Sequence, residues 1–219
     1  MCGIAGLLSV DQQAVPEPET VRRMCDAMVH RGPDDHGLRT DGPCVLGHRR
    51  LSIIDLSEKS HQPMIDAELG LALVFNGTIY NYRELRAQLK DKGYHFFTDG
   101  DSEVILKAYR EWGEDAPKHL HGMFAFAVWD MRAKTLFLAR DRFGIKPLYW
   151  SLDGNRLRFA SNAQALLAGG GIDTSLDAVA LHHQLTLHAV VPAPRTVLSG
   201  IRKLEPGMTL TVQVDGKKQ

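Results

Sequence analysis

The run of strand-like segments between Met123 and Ser161 constrains the fold of this chain more than any other feature. MFAFAVWD (123–130), TLFLARD (135–141), PLYW (147–150) and RLRFAS (156–161) are short and rich in aromatic and branched residues, and turn sequences such as DMRAK and LDGN separate them. Links this short join neighbouring antiparallel strands, because a parallel pair needs a crossover of about a dozen residues or more. Helical segments come in groups between sets of strands. Glu19–Val29 places Val21, Met24, Cys25 and Met28 on one face, and Tyr82–Lys92 and Ser102–Trp112 end at Gly93 and Gly113. Grouped helices and dense hairpins predict an α+β fold in place of a doubly wound parallel sheet.

Elsewhere, residues 2–9 read as a short buried strand, and Cys44–Ile54 and Leu69–Phe75 as further strands. HRGPDD (30–35) breaks the pattern with Gly and Pro. NAQALLA (162–168) and Leu176–Leu187 read as helices, followed by the Pro/Gly-punctuated VVPAPRTVLSGIRKLEPG (190–207), a strand-like MTLTVQV and a polar DGKKQ. The expected organisation is a domain over residues 1–190, with 191–219 a connector and the start of a further, truncated part.

With 26 basic and 26 acidic residues the chain offers no electrostatic case for nucleic acid or an anionic membrane. The N-terminal residues lack a basic segment followed by a long apolar stretch, so no secretion signal is expected, and no stretch of about 18 apolar residues predicts a membrane span. Cys2, Cys25 and Cys44 form neither a CxxC pair nor an even framework, so a zinc site or disulfide scaffold is not expected. Reduced thiols suit a cytoplasmic protein. The expected partner is a small molecule or a protein, and the oligomeric state is open, a homodimer included.

Cys2 stands directly after the initiator methionine, at the head of CGIAGLL. A residue this small lets methionine aminopeptidase remove Met1, which leaves a thiol and a free α-amine on one residue. An α-amino group titrates near 7.7–8.0 and a thiol near 8.5, roughly, so the amine can take the thiol proton at neutral pH. The bland alternative is a buried structural thiol at the start of a strand. Partners elsewhere in the chain decide between the two.

Those partners lie in GHRRLSIID (47–55), LVFNGTIYN (73–81), TDGDSEV (98–104) and RDRFGIKPLY (140–149). Together with MCGIAG and HRGPD, these six ordered motifs resemble the class II glutamine amidotransferase domain, an N-terminal-nucleophile hydrolase, over essentially the whole chain. Their order and the GIRKLEPG connector look most like the asparagine synthetase B family. The resemblance implies a four-layer αββα sandwich of two mainly antiparallel sheets. It also implies cleavage of L-glutamine without a cofactor, with ammonia supplied to an ATP-pyrophosphatase-type synthetase domain that would carry ATP and Mg²⁺.

By the same resemblance Cys2 is the nucleophile, and Asn76 and Gly77 form the oxyanion hole. Arg50 clamps the substrate carboxylate, because its fork pairs with a carboxylate in a bidentate way that lysine cannot match. Asp101 receives the α-ammonium. Read without the other motifs, Asn76-Gly77 is a hairpin turn, Arg50 a solvated strand residue, and Asp101 a helix N-terminal acid.

Thr78, read as a substrate-binding position with Arg50 and Asp101, replaces the glutamate usual in the family, and FASNAQAL (159–166) departs from FASEIKAL at Asn162 and Gln164, positions expected to face the ammonia route or the partner domain. GGGIDTS (169–175) is not read as a phosphate loop, since a helix and not a strand precedes it. His182 and His183 are adjacent on a helix and point about 100° apart, so they are not read as a metal pair. The rival functions are a non-catalytic glutamine-sensing module and an amidotransferase for another acceptor, such as N-acetylglutaminylglutamine.

Overall fold

The computed structural model describes residues 1–11 and 16–214. The strands are β1 (Gly3–Ser9), β2 (Asp35–Asp41), β3 (Cys44–Arg50), β4 (Met64–Asp66), β5 (Leu71–Ile79), β6 (Gly122–Asp130), β7 (Thr135–Arg140), β8 (Tyr149–Asp153), β9 (Arg156–Ala160), β10 (Arg202–Lys203) and β11 (Thr209–Gln213). The helices are α1 (Pro18–Asp26), α2 (Tyr82–Asp91), α3 (Ser102–Trp112), α4 (Ala116–His119), α5 (Ala163–Gly169) and α6 (Ala178–Thr186). One sheet has the order β10-β8-β9-β1-β3-β2 and the other β11-β7-β6-β5-β4. The pairings are antiparallel, as the short hairpin links require.

Period-2 alternation sorts these strands into layers. Ile4 and Leu8 of β1, Leu46 of β3, Val74 of β5, Trp129 of β6 and Phe159 of β9 meet between the sheets. The opposite face of β1 and β3, with Ala5, Leu7 and Val45, packs on Val21 and Met24 of α1 and Leu166 of α5. The outer face of the second sheet, with Leu73, Phe75, Phe126 and Phe137, packs on Leu89 of α2 and Val104, Ile105 and Ala108 of α3. The layers therefore run helix, sheet, sheet, helix, and each large apolar side chain so buried contributes about 1.5–3 kcal/mol before conformational entropy is set against it. Among the described residues no helix is long and apolar enough to cross a membrane.

Four differences from the sequence reading have physical reasons. Asp35–Asp41, whose polar composition hides it, forms the edge strand β2 beside β3. The strand expected through Ile54 stops at Arg50, where the chain leaves the sheet, and residues 51–60 form a rim above it. The strand expected to end at Phe75 continues to Ile79, so Asn76 and Gly77 lie inside β5, opposite Ala125 and Phe124, and make no hairpin. Residues 202–203 and 209–213, read as connector and further part, pair with β8 and β7. The polar ending 215–219 lies outside the described residues.

Candidate active site

The alternation that builds the inter-sheet core also builds the site. In β1 the inward residues are even-numbered, and Cys2 continues that face. In β3 the inward series Cys44, Leu46 runs on to His48 and Arg50, and in β5 Ala72, Val74 runs on to Asn76 and Thr78. One end of the layer between the sheets is thus apolar and the other polar. Cys2, Arg50, Asn76, Gly77, Thr78 and Asp101 all line one cavity of about 210 Å³ at the polar end.

Cys2 is partly exposed, and its Sγ accepts a hydrogen bond from Leu51 N at 3.4 Å. Its carbonyl accepts from Arg31 Nε at 3.2 Å, so the HRGPD segment holds the backbone of Cys2. Met1 lines the same cavity yet is half exposed, open to removal. Lys146 Nζ donates to Met1 Sδ at 3.3 Å. Burial lowers the pKa values of Arg31 and Lys146, the Arg31 charge lowers that of Lys146 further, and the Coulombic pull of Cys2 offsets part of the shift at both.

Asn76 is 1 % exposed, and its Nδ2 has no hydrogen-bond partner. A buried amide left unpaired costs about 1–3 kcal/mol, and this donor is free to meet an acceptor that enters the cavity. The residue beside it must be glycine for a structural reason. A Cβ on Gly77 would stand 2.2 Å from Met123 O and 2.8 Å from Phe124 Cα, wedging β5 from β6.

Arg50 is buried at the end of β3. Two guanidinium nitrogens donate to the rim, Nη1 to Ser57 O at 3.3 Å and Nη2 to Asp55 O at 2.5 Å, which leaves the other N–H groups for a carboxylate. Asp101 occupies the N-cap position of α3 but makes no capping bond. Its Oδ2 accepts from Ile79 N at 2.9 Å, which turns the carboxylate toward β5. Burial raises its pKa against the opposing pull of nearby backbone N–H groups.

Several contributors escaped the sequence reading. His48 is fully buried between the sheets, where its Nε2 donates to Phe75 O at 3.1 Å and its Nδ1 is unpaired. Burial lowers its pKa to about 4 and keeps the imidazole neutral. Gln62 Oε1 accepts from Phe75 N at 2.7 Å, so side chains hold both backbone polar groups of the residue before Asn76. Asp141 accepts from Phe124 N and Lys146 N through one oxygen and from Phe143 N and Ile145 N through the other, fixing the loop that carries Lys146. RDRFGIKPLY was the available signal for Lys146, whereas nothing local in sequence marks His48 or Gln62. Asn162, expected near the ammonia route, caps α5 by accepting from Ala165 N at 2.8 Å, and Gln164 is exposed. GGGIDTS follows α5, with Asp173 bonded to Ser175 N and Oγ. Among the described residues no group of His, Cys, Asp or Glu gathers to hold a metal.

Two antiparallel sheets packed face to face with helices on their outer sides, and a cysteine at the head of β1, make up the fold of amidotransferase domains of the N-terminal-nucleophile type. Its backbone is similar to that of glutamine phosphoribosylpyrophosphate amidotransferase from B. subtilis, with a TM-score of 0.71 at 21 % identity over 100 % of this chain and 49 % of that one. The chain belongs to the family described as "Glutamine amidotransferase domain", whose profile matches residues 1–219. It is 40 % identical over 218 residues to asparagine synthetase [glutamine-hydrolyzing] 1 of Bacillus subtilis, a match covering 99 % of this chain and 34 % of that protein. It is also 41 % identical over 233 residues to a putative asparagine synthetase [glutamine-hydrolyzing] of Mycobacterium tuberculosis, covering 98 % and 35 %. The chain thus spans about a third of the length of these curated relatives.

Proposed function

We propose that this domain hydrolyses the side-chain amide of L-glutamine and passes the ammonia to an ATP-dependent synthetase part of the asparagine-synthetase kind. The observation that carries the reading is the buried, unpaired Asn76 Nδ2 in the cavity that also holds the Cys2 thiol.

With Met1 removed, the Cys2 α-amine takes the thiol proton and Sγ attacks the carboxamide carbon. The negative charge that develops on the carbonyl oxygen is met by Asn76 Nδ2–H and the backbone N–H of Gly77. As the C–N bond breaks, the ammonium formed at Cys2 returns its proton to the leaving nitrogen, giving ammonia and a thioester. Water activated by the same amine then releases glutamate and restores the thiol. Arg50 pairs with the substrate carboxylate and Asp101 with its α-ammonium, while Thr78 brings a hydroxyl where relatives place a carboxylate. Cleavage draws on no cofactor; ATP and Mg²⁺ belong with the synthetase part. The curated relatives are about three times as long as this chain, which supports a separate C-terminal partner domain. A reducing cytoplasm suits the working thiol.

Intact mass and glutamate release test the reading together. Processed protein should lack Met1 and release glutamate, and Cys2→Ala or an uncleaved extension ahead of Cys2 should abolish release with the circular dichroism spectrum unchanged. Full activity in the blocked protein would sink the mechanism.

A further inference from the structure

The groups assigned to the two ends of glutamine stand on different parts of the fold. Arg50 ends β3 in one sheet, and Asp101 begins α3 on the far side of the other. For both to grip one amino acid, the rim 51–60 and the loop 97–101 must keep a fixed spacing. The loop has supports of its own: the Glu103 carboxylate accepts from Phe97 N, Thr98 N and Thr98 Oγ1, and Arg86 donates to Thr98 O and Gly100 O. None of these reaches the rim.

Asp55 does. Its Oδ1 accepts from Ser57 N at 3.0 Å and Ser57 Oγ at 2.6 Å, which folds the rim on itself. Its Oδ2 accepts from Ser60 Oγ at 2.8 Å and, across the gap, from Asp99 N at 3.3 Å. Its carbonyl meanwhile accepts from Arg50 Nη2 at 2.5 Å. The left-handed backbone at Asp55, with φ of 51°, directs the carbonyl back to Arg50 while the carboxylate faces the loop, and aspartate tolerates this conformation better than most residues. Contact is close enough that a Cβ on Gly100 would sit 3.4 Å from Asp55 Cβ and 3.2 Å from Ser60 Oγ, immediately before Asp101. Burial tends to raise the Asp55 pKa, but the donors from Ser57, Ser60 and Asp99 outweigh it and bring it to about 2, so the acceptor stays charged through the working range.

We propose that Asp55 is a positioning residue that fixes the carboxylate-binding and ammonium-binding halves of the glutamine site relative to each other. The proposal rests on the glutamine-hydrolysis reading above. Asp55 itself touches neither the nucleophile nor the oxyanion donors, so its loss weakens the grip on the amino-acid end and spares the thiol.

Steady-state glutaminase kinetics on the parent chain, Asp55→Ala and Asp55→Asn test this, with Cys2 alkylation by iodoacetamide as a measure of the nucleophile alone. The asparagine variant keeps the size of the side chain but retains one acceptor oxygen, so it folds in the same space and loses either the Ser57 or the Asp99 bonds. Asp55→Ala should raise KM for glutamine about tenfold or more, Asp55→Asn less, with kcat within about threefold and iodoacetamide alkylation unchanged. KM within about twofold of the parent in both variants overturns the proposal, as does an equal slowing of iodoacetamide and of a diazo-ketone glutamine analogue, which marks a general structural role. A parent that cleaves no glutamine overturns the functional reading instead. Hydrogen exchange at the amides of Ser57 and Asp99 then decides on Asp55: faster exchange in Asp55→Asn supports the lock, and unchanged exchange refutes it.

Discussion

Asn76→Ala separates catalysis from folding at a single position. Most substitutions of a buried residue lower stability, but this side chain carries a donor that the folded protein does not satisfy. Removing it relieves about 1–3 kcal/mol of desolvation cost, set against the packing lost with the amide. The two nearly cancel, so the thermal midpoint should stay within about 4 °C of the parent, given roughly 2–4 °C per kcal/mol in domains of this size. Catalysis has no such compensation. Loss of one oxyanion donor costs about 2.7–4 kcal/mol of transition-state stabilisation, so kcat should fall about 10²–10³-fold with KM little changed. Differential scanning calorimetry and glutamate release on the same preparation give both numbers. A midpoint lowered by more than about 8 °C would make Asn76 a structural strut, and an unchanged kcat would remove it from the oxyanion hole.

Thr78→Glu adds a carboxylate to the cavity that Asp101 also lines and should lower KM for glutamine by about tenfold with kcat nearly constant, the pattern of uniform binding; a large change in kcat instead would place residue 78 in the catalytic machinery. His48 predicts acid lability. Its folded pKa of about 4 lies below the ordinary 6.5, so the unfolded chain binds more protons in that window, and its contribution is whole above 6.5 and lost as pH falls toward 4. Urea unfolding should lose about 3 kcal/mol across that range, and a variant His48→Gln with the same slope would refute the assignment.

The sequence carries the layered fold in its alternation. Reading β1, β3 and β5 by parity places Ile4, Leu46 and Val74 in one layer, and the same parity brings Cys2, Arg50 and Asn76 to its polar end. The turn propensity of Asn76-Gly77 pointed the other way. Pairing with β6 overrides it, because the strand gains a full ladder of partners through Ile79. β2 was hidden by its charges, since an edge strand needs only one buried neighbour. His48, Gln62 and Asp55 were not legible for a different reason: each acts on a residue brought near by sheet packing or by a loop, and local pattern carries no record of such a meeting.

The pairing of β10 with β8 and of β11 with β7 also bears on what a shorter chain would lose. A chain shortened at Val190 would keep the six ordered motifs, yet leave β7 with a bare row of N–H and C=O groups along Thr135–Ala139 and strip the cover from Tyr149 and Trp150 of β8. Unpaired rims of this kind recruit strands from other molecules. Solubility of the isolated domain therefore depends on β10 and β11, which hold none of the six cavity residues named above.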